Sequence, residues 1–190
     1  MAAKILAFAG STREGSFNKK LLRIAVQGAR DAGAEVTELD LRDLPMPLYD
    51  GDLQASQGFP PNAKRFKDLV ATHPGLLIAS PEYNWGMSGV LKNALDWASR
   101  GEGKEAAYTA TRGHWAAVMS AAIGVYGGVR GLLQLRATLT ALKVIALPDQ
   151  VALPKAKESF NEDGSLKDPA IGAEVTALGA GLAKLVGKLG

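Results

Sequence analysis

The sequence predicts an α/β fold, a three-layer sandwich around a five-stranded parallel sheet. Two observations lead there. The strand-like segments are short continuous apolar runs, as expected of strands covered by helices on both faces. Each run is followed by a segment whose apolar residues recur at helical spacing, and strand then helix, repeated five times, is the doubly wound pattern.

In chain order, the strands are expected at 5–9, 36–41, 76–80, 115–120 and 144–147. The helices are expected at 18–32, 62–72, 88–99, 128–143 and 168–189. The first helix gathers Leu21, Leu22, Ala25, Val26 and Ala29 on one face, and the third gathers Val90, Leu91, Ala94, Leu95 and Ala98. Five strands in 190 residues favour the flavodoxin-like order over the six-strand dinucleotide fold, and one domain over 1–190 is expected. The connection 42–61 holds four prolines and two glycines and exceeds an ordinary loop, which points to a functional segment.

Composition narrows the function. Net charge is only +3, with no block of like charges despite a pI near 9.1, so nucleic acid is not an expected partner. Cysteine is absent, which excludes thiolate metal sites and a cysteine nucleophile, and two isolated histidines argue against a histidine metal site. The apolar run near the N-terminus is too short for a signal segment or membrane span, so a soluble cytoplasmic protein is expected.

Ligands of open α/β sheets sit at the carboxyl ends of the strands. The loop after the first strand, "AGSTREGSFN", is polar and bears glycines. It fails the triphosphate-loop pattern because Ser16 follows Gly15 where lysine is required. It also fails the dinucleotide fingerprint because Thr12 occupies the second glycine position. What remains is hydroxyls (Ser11, Thr12, Ser16), one guanidinium (Arg13), an amide (Asn18) and a helix N-terminus, a donor set suited to a terminal phosphomonoester. The plainer alternative makes Ser16 an N-cap and the glycines turn formers. After the third strand, Ser80 to Gly86 brings a proline, a carboxylate, two aromatics and an amide to the same edge, suiting a planar heteroaromatic ring. After the fourth, Ser120, Gly124, Gly127 and Gly128 leave backbone able to approach a ligand.

Together, "GSTREGSFN", "PEYNWGMSGVLKNALDWASR" and "GVYGGVRGLLQLR" resemble the NADPH-dependent FMN reductase family of quinone, azo-dye and chromate reductases, over nearly the whole chain. The resemblance implies a noncovalently held FMN. Its phosphate would lie at Ser11, Arg13, Ser16, Phe17 and Asn18, and its ring at Pro81, Glu82, Tyr83, Asn84 and Trp85, with Ser120 at the third loop. It further implies NADPH, or alternatively NADH, as hydride donor, a small-molecule acceptor taking the same seat in turn, and hence ping-pong kinetics. A homodimer or homotetramer is implied too, with the 42–61 segment, including Tyr49 and Asp50, covering a partner's flavin. No side chain is assigned as a covalent catalyst, because the cofactor carries the chemistry. Two segments depart from the family pattern, Trp85-Gly86-Met87-Ser88 and Ala121-Ala122-Ile123, and substrate preference is what they bear on.

Other residues have two readings. Glu82 is either a proton donor to reduced quinone or a carboxylate bonded to backbone. Arg130 and Arg136 either meet the 2′-phosphate of NADPH or an adjacent subunit, or are helix surface charges. His73 and His114 are read as structural or solvent-exposed, and Trp97 and Trp115 are assigned to packing. The competing functions are a flavodoxin-like electron carrier, disfavoured by the weakly positive charge, and a binding protein without cofactor.

Overall fold

The computed structural model describes residues 2–189. The strands β1 (Lys4–Ala9), β2 (Glu35–Asp40), β3 (Gly75–Ala79), β6 (Trp115–Ala121) and β7 (Ile145–Leu153) form one parallel sheet in the order β2-β1-β3-β6-β7, the flavodoxin-like order. The helices α1 (Phe17–Asp31) and α7 (Pro169–Leu189) cover one face. The helices α3 (Pro61–Thr72), α4 (Gly89–Ala98) and α5 (Val129–Ala141) cover the other.

Side-chain alternation along the central strands builds the two cores. Ile5, Ala7, Leu77 and Met119 pack towards Leu21, Ala25, Leu178 and Leu182. Leu6, Phe8, Ile78 and Val118 pack towards Phe66, Leu91, Leu132 and Leu135. Burying each leucine, isoleucine, valine, methionine or phenylalanine among them contributes about 1.5–3 kcal/mol. By length and composition α7 is apolar enough to cross a membrane. In the fold it lies tightly against α1, where Val175, Leu178, Leu182 and Val186 are buried. A Cβ added at Gly179 would stand 1.9 Å from the Ala25 carbonyl oxygen, so the approach of these helices requires glycine there.

Three features depart from the sequence expectation. The last strand does not stop at 147 but continues to Leu153, because its register with β6 shifts between Ala116 and Val118. Pro148 and Asp149 lie in that irregular stretch of an edge strand, where a missing N–H is tolerated, and they read as a strand end. The 42–61 segment is not a plain loop. It contains α2 (Gly51–Gln57), whose N-terminus is capped by the Asp50 carboxylate accepting from Asp52 N at 2.8 Å and Leu53 N at 3.3 Å. Asn93 pins the same segment to α4, accepting from Tyr49 N at 2.8 Å and donating to Pro47 O at 2.9 Å. Trp97, fully buried, donates to the same carbonyl at 2.9 Å. Finally, a small hairpin of β4 (Glu82–Tyr83) and β5 (Gly86–Met87) follows β3, and a single helical turn, α6 (Ala156–Ser159), follows β7.

The histidines serve packing. His73 Nε2 bonds Thr37 Oγ1 at 2.8 Å, and His114 Nε2 donates to Val70 O at 2.9 Å. Among the described residues no cluster of three potential metal ligands occurs.

Candidate functional site

At the carboxyl ends of β1, β3 and β6 three loops enclose a cavity of about 250 Å³. The first loop and the start of α1 contribute Ser11, Arg13, Ser16, Phe17 and Asn18. The turn into the hairpin contributes Pro81, Glu82 and Tyr83, and the end of β6 contributes Ala121, Ala122 and Ile123. A larger groove of about 490 Å³ runs along the outer face of α3, but its walls include the ordinary surface charges Lys64, Arg65 and Asp68 and it gathers no such donor set.

The N-terminus of α1 opens here. Ser16 occupies the cap position, yet its side chain accepts no helix N–H, and the first turn holds no acidic residue. The first-turn N–H groups and the positive end of the helix dipole therefore remain available to an anion. Ser11 and Ser16 are buried beside them. Among the described residues the Arg13 guanidinium has no hydrogen-bond or ion-pair partner; only its backbone N–H is engaged, donating to Ser11 Oγ at 3.4 Å. Glu14, the one carboxylate of this loop, does not line the cavity. Arg42 binds it at 2.6 Å, and that hydrogen bond holds its carboxyl below the ordinary range.

Buried polar ties fix the loops to one another. Asn18 Nδ2 donates to Ala121 O at 2.9 Å and Asn18 Oδ1 accepts from Ala121 N at 3.0 Å, so its amide serves as a backbone tie. Ser88 caps α4, accepting from Leu91 N at 3.3 Å, and donates to Gly10 O at 2.6 Å, joining the first loop to the element after the hairpin. Phe17 stacks on Phe160 with ring centroids 5.9 Å apart.

The hairpin is more exposed. Tyr83 pairs with Gly86, and the two residues between them, Asn84 and Trp85, have φ of 50° and 69°, a left-handed two-residue turn. That conformation is unusual for a bulky aromatic. Trp85 is 68% exposed, and the Arg130 guanidinium lies 4.6 Å from its ring centroid and 4.8 Å from that of Tyr126. Glu82 is fixed beneath this stack. Its Oε1 accepts from Arg130 Nε at 3.2 Å and Nη2 at 3.1 Å, and its Oε2 accepts from Gly131 N at 2.8 Å. With three N–H donors aimed at it, the group is built to accept hydrogen bonds rather than to donate a proton.

The cavity thus gathers Ser11, Arg13, Ser16, Phe17, Asn18, Pro81, Glu82 and Tyr83, whereas Asn84 and Trp85 sit at the hairpin tip. Ser120, one residue before Ala121 on β6, does not line the cavity; it is fully buried, its hydroxyl without a partner among the described residues. Ala122 and Ile123, in one of the two segments that depart from the family pattern, do line the cavity, with backbone and apolar surface. The partners of two arginines were not readable in the sequence. Arg130 is not an ordinary helix surface charge, and its pairing with Glu82, 48 positions away, has no local signal. Arg42 reaches the first loop across 30 positions and is equally silent.

The model of the NADPH-dependent FMN reductase family matches residues 3–158. An NAD(P)H-dependent FMN reductase of Pseudomonas aeruginosa is 39% identical over 166 residues, covering 87% of this chain and 85% of the relative. A 2-hydroxy-1,4-benzoquinone reductase of a Burkholderia species is 36% identical over 159 residues, covering 84% and 82%. Among solved structures, FerB from Paracoccus denitrificans, a flavoenzyme NAD(P)H:(acceptor) oxidoreductase, superposes with a TM-score of 0.81 at 26% identity, covering 98% of each chain.

Proposed function

Because the chain belongs to the NADPH-dependent FMN reductase family, we propose that the three-loop cavity is its flavin site and that the mouth of the cavity seats hydride donor and acceptor in turn. The protein is an oxidoreductase that uses FMN and NAD(P)H, with quinone reductase activity and small-molecule acceptors. One observation carries the assignment of the site: an uncapped, acid-free helix N-terminus opens beside two buried hydroxyls and the Arg13 guanidinium, which has no partner among the described residues. This donor set fits a phosphomonoester dianion without metal.

Ser11, Ser16, Arg13 and the N–H groups of Phe17 and Asn18 would hold the phosphate, while Asn18 fixes Ala121 at the opposite wall. Pro81, Glu82, Tyr83, Asn84 and Trp85 would border the ring, with Ser120 at the third loop. Bound FMN supplies hydride acceptance and delivery, chemistry no side chain here provides. Glu82 acts as a rigid support, since Arg130 and Gly131 fix both its oxygens. Tyr83 and Trp85, half or more exposed at the mouth, shape the seat for planar partners and align them there.

With one seat used alternately, ping-pong kinetics follow, and azo compounds, free flavin and chromate are proposed as further acceptors. Trp85, Tyr126, Val125, Ile123 and Leu133 leave large apolar side chains exposed, which supports a homodimer or homotetramer over this region. We place the reaction in the cytoplasm, within a single flavin-binding domain.

The test is a visible spectrum of the purified protein after FMN is added and excess removed, repeated anaerobically with NADPH and then quinone. A retained band that bleaches with NADPH and returns with quinone supports the reading. Failure to retain FMN would overturn the assignment of the cavity. Parallel double-reciprocal lines test the alternating seat, and sedimentation velocity tests the oligomer.

A further inference from the structure

We propose that Arg42 is a positioning residue for the cofactor phosphate: from outside the cavity, it holds the first loop in its anion-binding shape. This rests on the reading of that loop as the phosphate site.

Arg42 is anchored before it reaches out. Asp40, at the end of β2, accepts from Arg42 N at 3.0 Å through Oδ1 and pairs through Oδ2 with Lys19 Nζ at 2.5 Å. Lys19 belongs to the first turn of α1, so the backbone of Arg42 is tied to the helix whose N-terminus opens into the cavity. From there the guanidinium crosses to the loop, where Nε donates to Thr12 O at 2.9 Å and Nη1 to Glu14 Oε1 at 2.6 Å.

Two consequences follow for the inner side of the loop. A trans peptide points its C=O and the next N–H in opposite directions. With the Thr12 carbonyl drawn to Arg42, the Arg13 N–H is turned the other way, towards Ser11 Oγ, which lines the cavity. The second consequence is electrostatic. Glu14, held at Arg42 with its side chain 85% exposed, faces solvent, so an entering dianion meets Arg13 and the α1 N-terminus rather than a carboxylate. Both bonds at once need the forked guanidinium, which a lysine ammonium cannot reproduce from one position.

The test compares FMN with riboflavin, which lacks only the phosphate. Flavin-free full-length wild type, R42A, R42K and S16A are titrated with each, and the thermal midpoints of the flavin-free proteins are recorded. R42A is expected to weaken FMN binding about tenfold, the size of a lost charge-assisted contact, with riboflavin affinity and the thermal midpoint essentially unchanged. R42K should fall between, and it carries the test alone if R42A does not fold. An unchanged FMN-to-riboflavin ratio in R42A, with a lowered ratio in S16A, overturns the role of Arg42 and leaves the phosphate site standing. If S16A also leaves the ratio unchanged and wild type binds both flavins equally, the phosphate site itself falls, and Arg42 with it.

Discussion

Asn18 and the backbone of Ala121 form a reciprocal pair, N–H to O in both directions at 2.9 and 3.0 Å, that closes the first turn of α1 onto the end of β6 across 103 positions. Both residues are buried, so neither half of the pair is replaced by water when the other is lost. Asn18→Ala is therefore expected to lower the stability of the flavin-free protein by about 1–3 kcal/mol. FMN retention should fall with it, because two walls of the cavity lose their common tie. Urea unfolding of the flavin-free protein and an FMN titration check the two effects separately; unchanged stability would mean that the pair does not order these loops.

Glu82 gives a second expectation. A general acid contributes roughly 10²–10⁴-fold to the step it assists. Because Arg130 and Gly131 hold both oxygens, Glu82→Gln is expected to keep quinone turnover within about fivefold of wild type, well short of the loss of a general acid. The pH profile of kcat should keep its shape. A hundredfold loss together with a missing ionisation would restore Glu82 as the proton donor.

How much of this was legible in the sequence depends on the range of the interaction. The apolar runs and helical faces reported the layers, because burial on both sides of a sheet leaves its mark residue by residue. The first loop was legible because its hydroxyls and glycines lie in one short stretch. Arg42 and Arg130 were not, since their partners are distant in sequence and an arginine on a helix has the same local pattern whether or not it is paired. The extension of β7 was hidden by Pro148, whose usual meaning is a strand end. The helix α2 was hidden by the prolines around it, although Asp50 before Gly51 was a readable cap.

Acid sensitivity follows from two paired carboxyls. Burial pushes the Asp40 carboxyl up, but Lys19 and the Arg42 amide outweigh it and hold the group below its ordinary value. The Lys67 ammonium, donating to the Glu105 carboxylate, holds that group down as well. A carboxyl depressed in the folded state adds stability above its unfolded pKa, roughly 4, and that stability is lost as pH falls through the folded value. The thermal midpoint is thus expected to drop below about pH 4. The gap between wild type and Asp40→Asn should narrow over the same range. A gap that stays constant from neutral to acid pH would exclude the charge of Asp40 as its source.

Trp85 poses the opposite balance. A non-glycine residue in the left-handed region gives up about 1–2 kcal/mol, and at φ 69° Trp85 bears that strain. The stack on Arg130, 4.6 Å away, with the indole largely exposed, returns only about 0.5–1 kcal/mol. On stability alone glycine is the better residue at this position, so Trp85→Gly is expected to fold with a thermal midpoint equal to or above that of wild type. The indole is instead proposed to shape the acceptor seat, beside Tyr83, which lines the cavity. The variant should show a KM for quinone raised severalfold, with FMN affinity unchanged. Steady-state kinetics beside a thermal melt decide the matter: a more stable variant with the wild-type KM would remove Trp85 from that seat.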